Sequence, residues 1–411
     1  MARFSLRGVW SGASEAGDSA ESVGAFVDRL ADAGFNAIFL GLKEGDGRIC
    51  WPSERFARIV REEYRDFDLP AVFLKHCQRR GVEAHAWFID FMEGADGVAF
   101  RTHPEWAMRN RHGKTTNEEV LRGEQFPFLW MCPAQRPGYA DQWLIPLYAE
   151  FAARYSFVSL HHDYVRYPGD LAPDQYCFCD SCRRQLPEWA SYVPHPFPDE
   201  PFTHEKYDRE YLESHWEQSP RVLPAAWDRW SSAFQSDFLL EGSFFQGGRS
   251  DLDYFFYLYR IEAIERFVKE CAEAVRASSP VSKLSGALFK NPIHSGRFIG
   301  QDWRRFAPWM DHCIPMNYRD HYPGTMGNYL GLLKRSIEQQ LDWAGAYAQL
   351  SIGVAIWPLF REAPDGPYPQ DRLERTIEAI AETQAQGLVI FCEGDLDRYG
   401  QWPVVQRAFR D

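Results

Sequence analysis

Residues 157–170 read FVSLHHDYVRYPGD. Phe157 to Leu160 has the apolar, aromatic character of a strand, and it runs straight into His161, His162 and Asp163. A Tyr-Arg-Tyr-Pro corner follows at Tyr164–Pro168. Side chains alternate along a strand, so His161 and Asp163 share one side while His162 and Tyr164 take the other. A short apolar strand that ends in polar chemistry is the pattern of a parallel α/β fold, where functional groups gather at the strands' C-terminal ends.

The same unit recurs on both sides of this stretch. Apolar runs at Leu6–Trp10, Ala37–Leu42, Glu83–Ile89, Phe157–His162, Lys283–Phe289, His312–Asn317, Leu350–Trp357 and Leu388–Cys392 read as eight strands. Amphipathic or helix-forming stretches lie between them: Glu21–Ala33, Pro70–Arg80, Tyr139–Tyr155, Asp253–Ala277, Trp303–Trp309, Asn328–Trp343 and Gln370–Gln384, with Trp402–Arg410 last. Gly34 and Gly81 fall where helix C-caps belong. Eight strands alternating with helices predict a (β/α)8 TIM barrel occupying residues 1–411. The only glycine-rich candidate for a nucleotide loop, GLKEGDG after strand two, lacks the G-x-G-x-x-G spacing, so no organic cofactor is expected. Length beyond a minimal barrel falls in two insertions, 90–138 after strand three and 168–250 after strand four. Both follow strands, which predicts that they cover the C-terminal face.

Composition excludes several partners. The chain has 411 residues with 45 basic and 58 acidic side chains, a formal charge of −13. That balance opposes nucleic-acid binding and association with an acidic membrane surface. No apolar run reaches the length of a membrane span, and MARFSLRGVW has no signal-peptide core. Nine cysteines, most of them single in apolar segments, point to free thiols and a cytoplasmic setting. Aromatic residues make up 16% of the chain, with 15 tryptophans; they suit a large core and equally a cleft that stacks sugar rings.

The barrel gathers strand ends that are distant in sequence. His85, Trp87 and Asp90 belong to strand three, and His161, His162, Asp163 and Arg166 to strand four. Lys290 follows strand five, Asn317, Tyr318 and Asp320 end strand six, Trp357 ends strand seven, and Glu393 follows strand eight. Carboxylates facing one another across such a face suit glycoside hydrolysis, which uses one acid and one nucleophile or base. Asp163 is the first candidate. Glu393, directly after an apolar strand, is the first choice of partner, because burial there would raise its pKa toward that of a general acid; Asp320 is the second. The remaining residues are candidates for binding a carbohydrate substrate: His85, His162, Asn317 and Tyr318 by hydrogen bonds, Trp87 and Trp357 by stacking. His161 would lie one layer below Asp163 and orient it, and Arg166 would shape the strand-four corner. A barrel lyase or isomerase would instead need a catalytic metal or a Schiff-base lysine such as Lys290 or Lys43.

CFCDSC places Cys177, Cys179 and Cys182 within six residues. Thiols this close in a reducing setting read as ligands of a structural zinc, which takes four. Cys132, in WMCPAQRPGY, is the best fourth ligand, with His195 or His204 as the fallback.

SLHHDYVRYP resembles the strand-four signature of the glycosyl hydrolase-like family 10 proteins. RGVW at the start, ADAGFNAIFL, RRGVEAHAWF, HPEW and IPMNYRD are similar to the family's pattern in the same order. The resemblance implies a (β/α)8 barrel with glycosidase activity. The chain departs from the pattern at His162, where an apolar residue is usual, and at Asp90, where Asn is common. The cysteine cluster is similar to the structural zinc site of glycoside hydrolase family 42 β-galactosidases, where an upstream Cys-Pro joins a C-x-C-x-x-C cluster. The competing class is a glycan-binding barrel without catalysis.

Overall fold

The computed structural model of the protein describes residues 4–121, 123–169, 171, 176–192, 227–241, 251–356 and 371–410. Eight parallel strands close into a barrel: β1 Leu6–Ser11, β2 Ala37–Lys43, β3 Glu83–Ile89, β4 Ser159–Asp163, β5 Lys283–Phe289, β6 His312–Met316, β7 Gln349–Ala355 and β8 Gly387–Phe391. Neighbouring strands pair in chain order and β1 closes on β8, with Leu6 opposite Gly387. The main outer helices are α1 Ala20–Asp32, α2 Leu69–Arg80, α3 Ile145–Arg154, α4 Asp251–Ser278, α5 Pro292–Ile299, α6 Met326–Ala344, α7 Arg372–Ala381 and α8 Trp402–Arg410. The expected TIM barrel is therefore the fold.

Local chemistry sets the helix limits. Ser19 caps α1 in a reciprocal pair with Ser22. Asp68 accepts from the Ala71 amide at the start of α2, and Gly81, at φ +65°, ends it in the left-handed conformation that a side chain disfavours. The helix expected over Tyr139–Tyr155 is a π-turn at Ala140–Leu144 that becomes α-helical at Ile145. Pro146 has no N–H for the usual bond back to residue 142, so the chain widens before it. The helix Pro292–Ile299 was not anticipated, because its proline and glycine mask the periodicity.

Two apolar layers result. One lies between strands and helices and runs from Phe4 to Phe409. The smaller one fills the barrel with Trp10, Ala37, Phe39, Ile314, Met316, Tyr318 and Val389. A chain of polar groups runs among these apolar side chains. The Trp10 indole donates to His161 Nε2 at 3.1 Å, so the proton of that imidazole sits on Nδ1, 2.9 Å from Ser285 Oγ. Ser285 and Ser159 hydroxyls are 2.9 Å apart, and Ser159 lies 2.7 Å from His85 Nδ1. Every member of this chain has a partner, which is the condition for burying it.

Of the strand-three insertion, Met92–Glu93 and Leu129–Trp130 form a two-stranded antiparallel ribbon. The described parts of the strand-four insertion include helices Asp180–Tyr192 and Ser232–Glu241, which contact α4 and each other. Most of 193–250, with His195 and His204, lies outside the described residues, as does Trp357. Among the described residues no helix is long and apolar enough to cross a membrane.

Candidate active site

Asp163 ends β4 with its side chain on the inner face, opposite Ile89 of β3. Its Oδ2 accepts from the Trp87 indole at 3.2 Å, and its Oδ1 accepts from the Tyr164 amide at 2.7 Å. Tyr164 reaches that position by taking φ +53°, a left-handed backbone that costs a non-glycine residue about 1 kcal/mol or more. Burial raises the Asp163 pKa to about 6; the Arg166 charge and the two N–H donors pull in the opposite direction, and the Asp90 charge adds to the rise. Arg166 is held in an aromatic cage, its guanidinium 5.0 Å from the Trp130 ring centroid, 4.6 Å from Tyr164 and 4.9 Å from Phe289.

Across the mouth, the β6 end brings Tyr318, Asp320 and His321. Asp163 and Asp320 both oppose ionisation of the buried Tyr318 phenol, although burial is the larger cause. The Tyr318 ring lies beside Phe391 and His321, and His321 stacks on Phe289. His321 Nδ1 donates to the Met316 carbonyl at 3.1 Å, and burial lowers its pKa, which favours the neutral ring. Asp320 is buried in the short turn Arg319–His321. Asp163, Trp87, Arg166 and Tyr318 are therefore brought together, and Asp320 follows Tyr318 by two residues in the adjoining turn. His321, Trp130 and Phe289 join them, and sequence reasoning had not selected these three. His321 follows directly on MNYRD, which was the one available signal.

Several expected site residues are placed elsewhere. Glu393 is ion-paired with Arg29 of α1, which also holds Asp397, so it is turned to the helix layer and away from Asp163. The strand pattern ends at Phe391, and the main chain re-aims after it. His162 faces outward as alternation requires: its Nδ1 lies 2.8 Å from Asp90 Oδ2, and Tyr148 donates to Asp90 Oδ1 at 2.6 Å. Both His162 and Asp90 are fully enclosed, which corrects their assignment to sugar binding. His85 and His161 belong to the polar chain below the mouth, and His161 bonds to Trp10 and Ser285 rather than orienting Asp163. Asn317 is enclosed against Gln340 and Tyr322. Lys43 donates to the Ile89 carbonyl at 2.6 Å and lies 3.8 Å from Glu93. A register shift between Gly41 and Lys43 carries it out of the inner face. Lys290 donates to the His321 carbonyl and sits over the Tyr322 ring, so it is occupied with structure at the mouth.

The four expected cysteines meet. Cys132, Cys177, Cys179 and Cys182 are buried, with all Sγ atoms within 4.8 Å of one another. Cys132 Sγ lies 3.5 Å from Cys182 Sγ and 3.9 Å from Cys179 Sγ. A zinc with Zn–S bonds of about 2.3 Å places its sulfurs about 3.8 Å apart in a tetrahedron. Four soft donors at these separations fit such a metal, and a closed set of four leaves no position for substrate.

An eight-stranded parallel barrel with a buried carboxylate at its C-terminal mouth is a TIM barrel with a candidate site where such folds carry their chemistry. The chain belongs to the DUF4015 family, described as "Putative glycosyl hydrolase domain", whose model matches residues 8–332. Solved structures share the fold. The PgaB (BpsB) glycoside hydrolase domain from Bordetella bronchiseptica aligns with TM-score 0.63 and 12% identity over 98% of both chains. The catalytic domain of β-amylase from Paenibacillus polymyxa aligns with TM-score 0.56 and 12% identity over 99% of both. A cold-adapted β-galactosidase from Rahnella sp. R3 aligns with TM-score 0.61 and 13% identity over 95% of this chain and 51% of that one. No curated protein sequence matches the chain.

Proposed function

We propose that the protein hydrolyses a glycosidic bond of an oligosaccharide or glycoside, with Asp163 as general acid and Asp320 as the second carboxylate. The observation that carries this reading is the environment of Asp163. A carboxyl at the mouth of a barrel, with a pKa of about 6, retains its proton in mildly acidic solution and can give it to a leaving oxygen. Asp320, across Tyr318, would act as nucleophile or base on the opposite side of the sugar. Arg166 and Tyr318 would hold substrate hydroxyls, and Trp87 would set the Asp163 carboxyl while offering a ring edge to the sugar. Family membership and the resemblance in SLHHDYVRYP support the same class.

Zinc bound by the four cysteines would serve folding, because it joins the strand-three insertion through Cys132 to the strand-four insertion through Cys177, Cys179 and Cys182. The free thiols support a reducing, cytoplasmic location. A panel of aryl glycosides and natural oligosaccharides, assayed with the wild type and Asp163→Asn, tests the reading. Loss of a general acid lowers turnover by about 10²–10⁴-fold, with glycan binding retained. Full turnover by the Asn variant would remove Asp163 from the chemistry. Binding without turnover by the wild type would leave a glycan-binding barrel.

A further inference from the structure

We infer that the loops after β2 and β3 form a subsite for an anionic group on the substrate glycan, a carboxylate, sulfate or phosphate; this rests on the hydrolase reading above. A cavity of about 310 Å³ opens between these loops, and Arg48, Arg58 and Arg101 line it. Gly47, Gly94 and Gly97 line it as well. A side chain would clash at Gly47 and Gly97 and be crowded at Gly94. A Cβ on Gly47, which has φ +82°, would lie 1.9 Å from Glu93 Oε2, and one on Gly97 would lie 2.8 Å from the Gly94 carbonyl. One on Gly94 would lie 3.1 Å from the Asp46 carbonyl. Behind these glycines lies the buried Glu93 carboxylate, 3.8 Å from Lys43 Nζ, and the arginine forks on the cavity side are what an oxyanion would meet.

Among the lining side chains three arginines stand against two aspartates. Asp46 and Asp96 also line the cavity, but Asp46 is held by Arg61 at 3.1 Å and lies 3.8 Å from Arg48. Arg58 and Arg101 have no ion pair among the described residues and are exposed. Three arginines converge here in a chain of net charge −13. The position suits a substituent on a bound chain of sugars. Asp90 N–H donates to the Asp163 carbonyl at 2.8 Å, and Gly94, four residues on, lies within about 14 Å of Asp90 along the backbone. Both loops leave the same end of the barrel as Asp163.

The test uses the full chain and the double variant Arg58→Ala/Arg101→Ala, whose side chains are exposed. Isothermal titration with sodium glucuronate, sodium sulfate and inorganic phosphate, at ionic strength fixed with sodium chloride, separates the three anion classes. Saturable binding of at least one of them is expected, weakened at least about ten-fold in the variant. Acidic oligosaccharides are expected to show a KM at least about ten-fold below that of their neutral counterparts, an advantage the variant erases while kcat on neutral glycans is unchanged. Equal anion binding by the two proteins would overturn the subsite. So would hydrolysis in which acidic and neutral glycans have the same KM, an outcome that leaves the hydrolase reading intact. Arginine-dependent anion binding in a protein that cleaves no glycan would support the subsite and overturn the hydrolase reading.

Discussion

Replacing Asp163 by Asn removes a charge that the folded protein disfavours. The carboxyl titrates near 3.8 when exposed and at about 6 in place. Well below pH 3.8 it is protonated in both states and costs nothing. As pH rises through this interval the unfolded chain ionises first, and stability falls until pH passes about 6. The full deficit is about 3 kcal/mol. Asp163→Asn is therefore expected to be more stable than the wild type at pH 8, by up to that amount, and by much less at pH 4, although it has lost activity; urea unfolding at the two pH values measures this. A variant less stable at pH 8 would contradict the burial argument. Trp87→Phe deletes one donor to the ionised carboxylate, so the Asp163 pKa should rise further. The alkaline limb of the kcat profile is expected to move up by about one unit, and an unmoved limb would show that the indole does not act on this carboxyl. Asp163 was legible from alternation alone, because its inward position depends only on its own strand. The true partners of His161 and Glu393 were not, because Trp10, Ser285 and Arg29 reach them from other elements by packing that no local pattern records.

Among the elements, the two insertions meet at four buried thiols. Cys132 precedes α3 and the other three cysteines follow β4, so a metal bound there would tie segments that the barrel itself does not pair. Cys179→Ser is expected to lower the thermal midpoint by at least about 5 °C and to abolish stoichiometric zinc, with hydrolysis retained below the transition. Elemental analysis that finds no zinc in wild-type protein purified without chelators would remove the metal from the account. The close C-x-C-x-x-C spacing made the cluster readable, and a Cys-Pro near the next helix pointed to the fourth thiol. The ribbon of Met92–Glu93 with Leu129–Trp130 was not readable, because two residues per strand are too few for any periodicity. The π-turn before Pro146 escaped for a related reason: proline signals an interruption but not the form it takes.

Across the whole molecule, the barrel interior carries histidines where aliphatic side chains are usual. Burial lowers the pKa of His85 and His161, and that of His312 to about 3. Each is neutral when folded and titrates near 6.5 when unfolded. Below pH 6.5 the unfolded chain takes up protons that the native barrel refuses, so stability is lost as pH falls toward the folded values. Asp163 acts the other way, as do Glu44, Glu93, Glu265 and Asp395, whose pKa values burial also raises. The histidine share is therefore read from a variant: His312→Gln is expected to lose less stability than the wild type between pH 6.5 and pH 4 in urea unfolding, and an equal loss would refute it. The architecture itself was legible because strand and helix periods alternate from Leu6 to Phe409. The polar filling was not, because serine and histidine in a strand look the same whether they face solvent or one another.

Closure of the ring has a kinetic consequence. The seam between β1 and β8 joins the two ends of the sequence, and the Ser5 hydroxyl donates to the Gln386 carbonyl across 381 positions. All other neighbours in the barrel are consecutive strands, so their contacts are far more local. Contacts of high sequence separation carry the largest loop-closure entropy and form slowly. During refolding, an open sheet from β2 to β7 should gain amide protection first, with the β1–β8 seam sealing last. Pulsed hydrogen exchange during refolding would show Val9 and Ile390 amides lagging those of Ala86 and Leu160; simultaneous protection would mean that the ring closes in a single step.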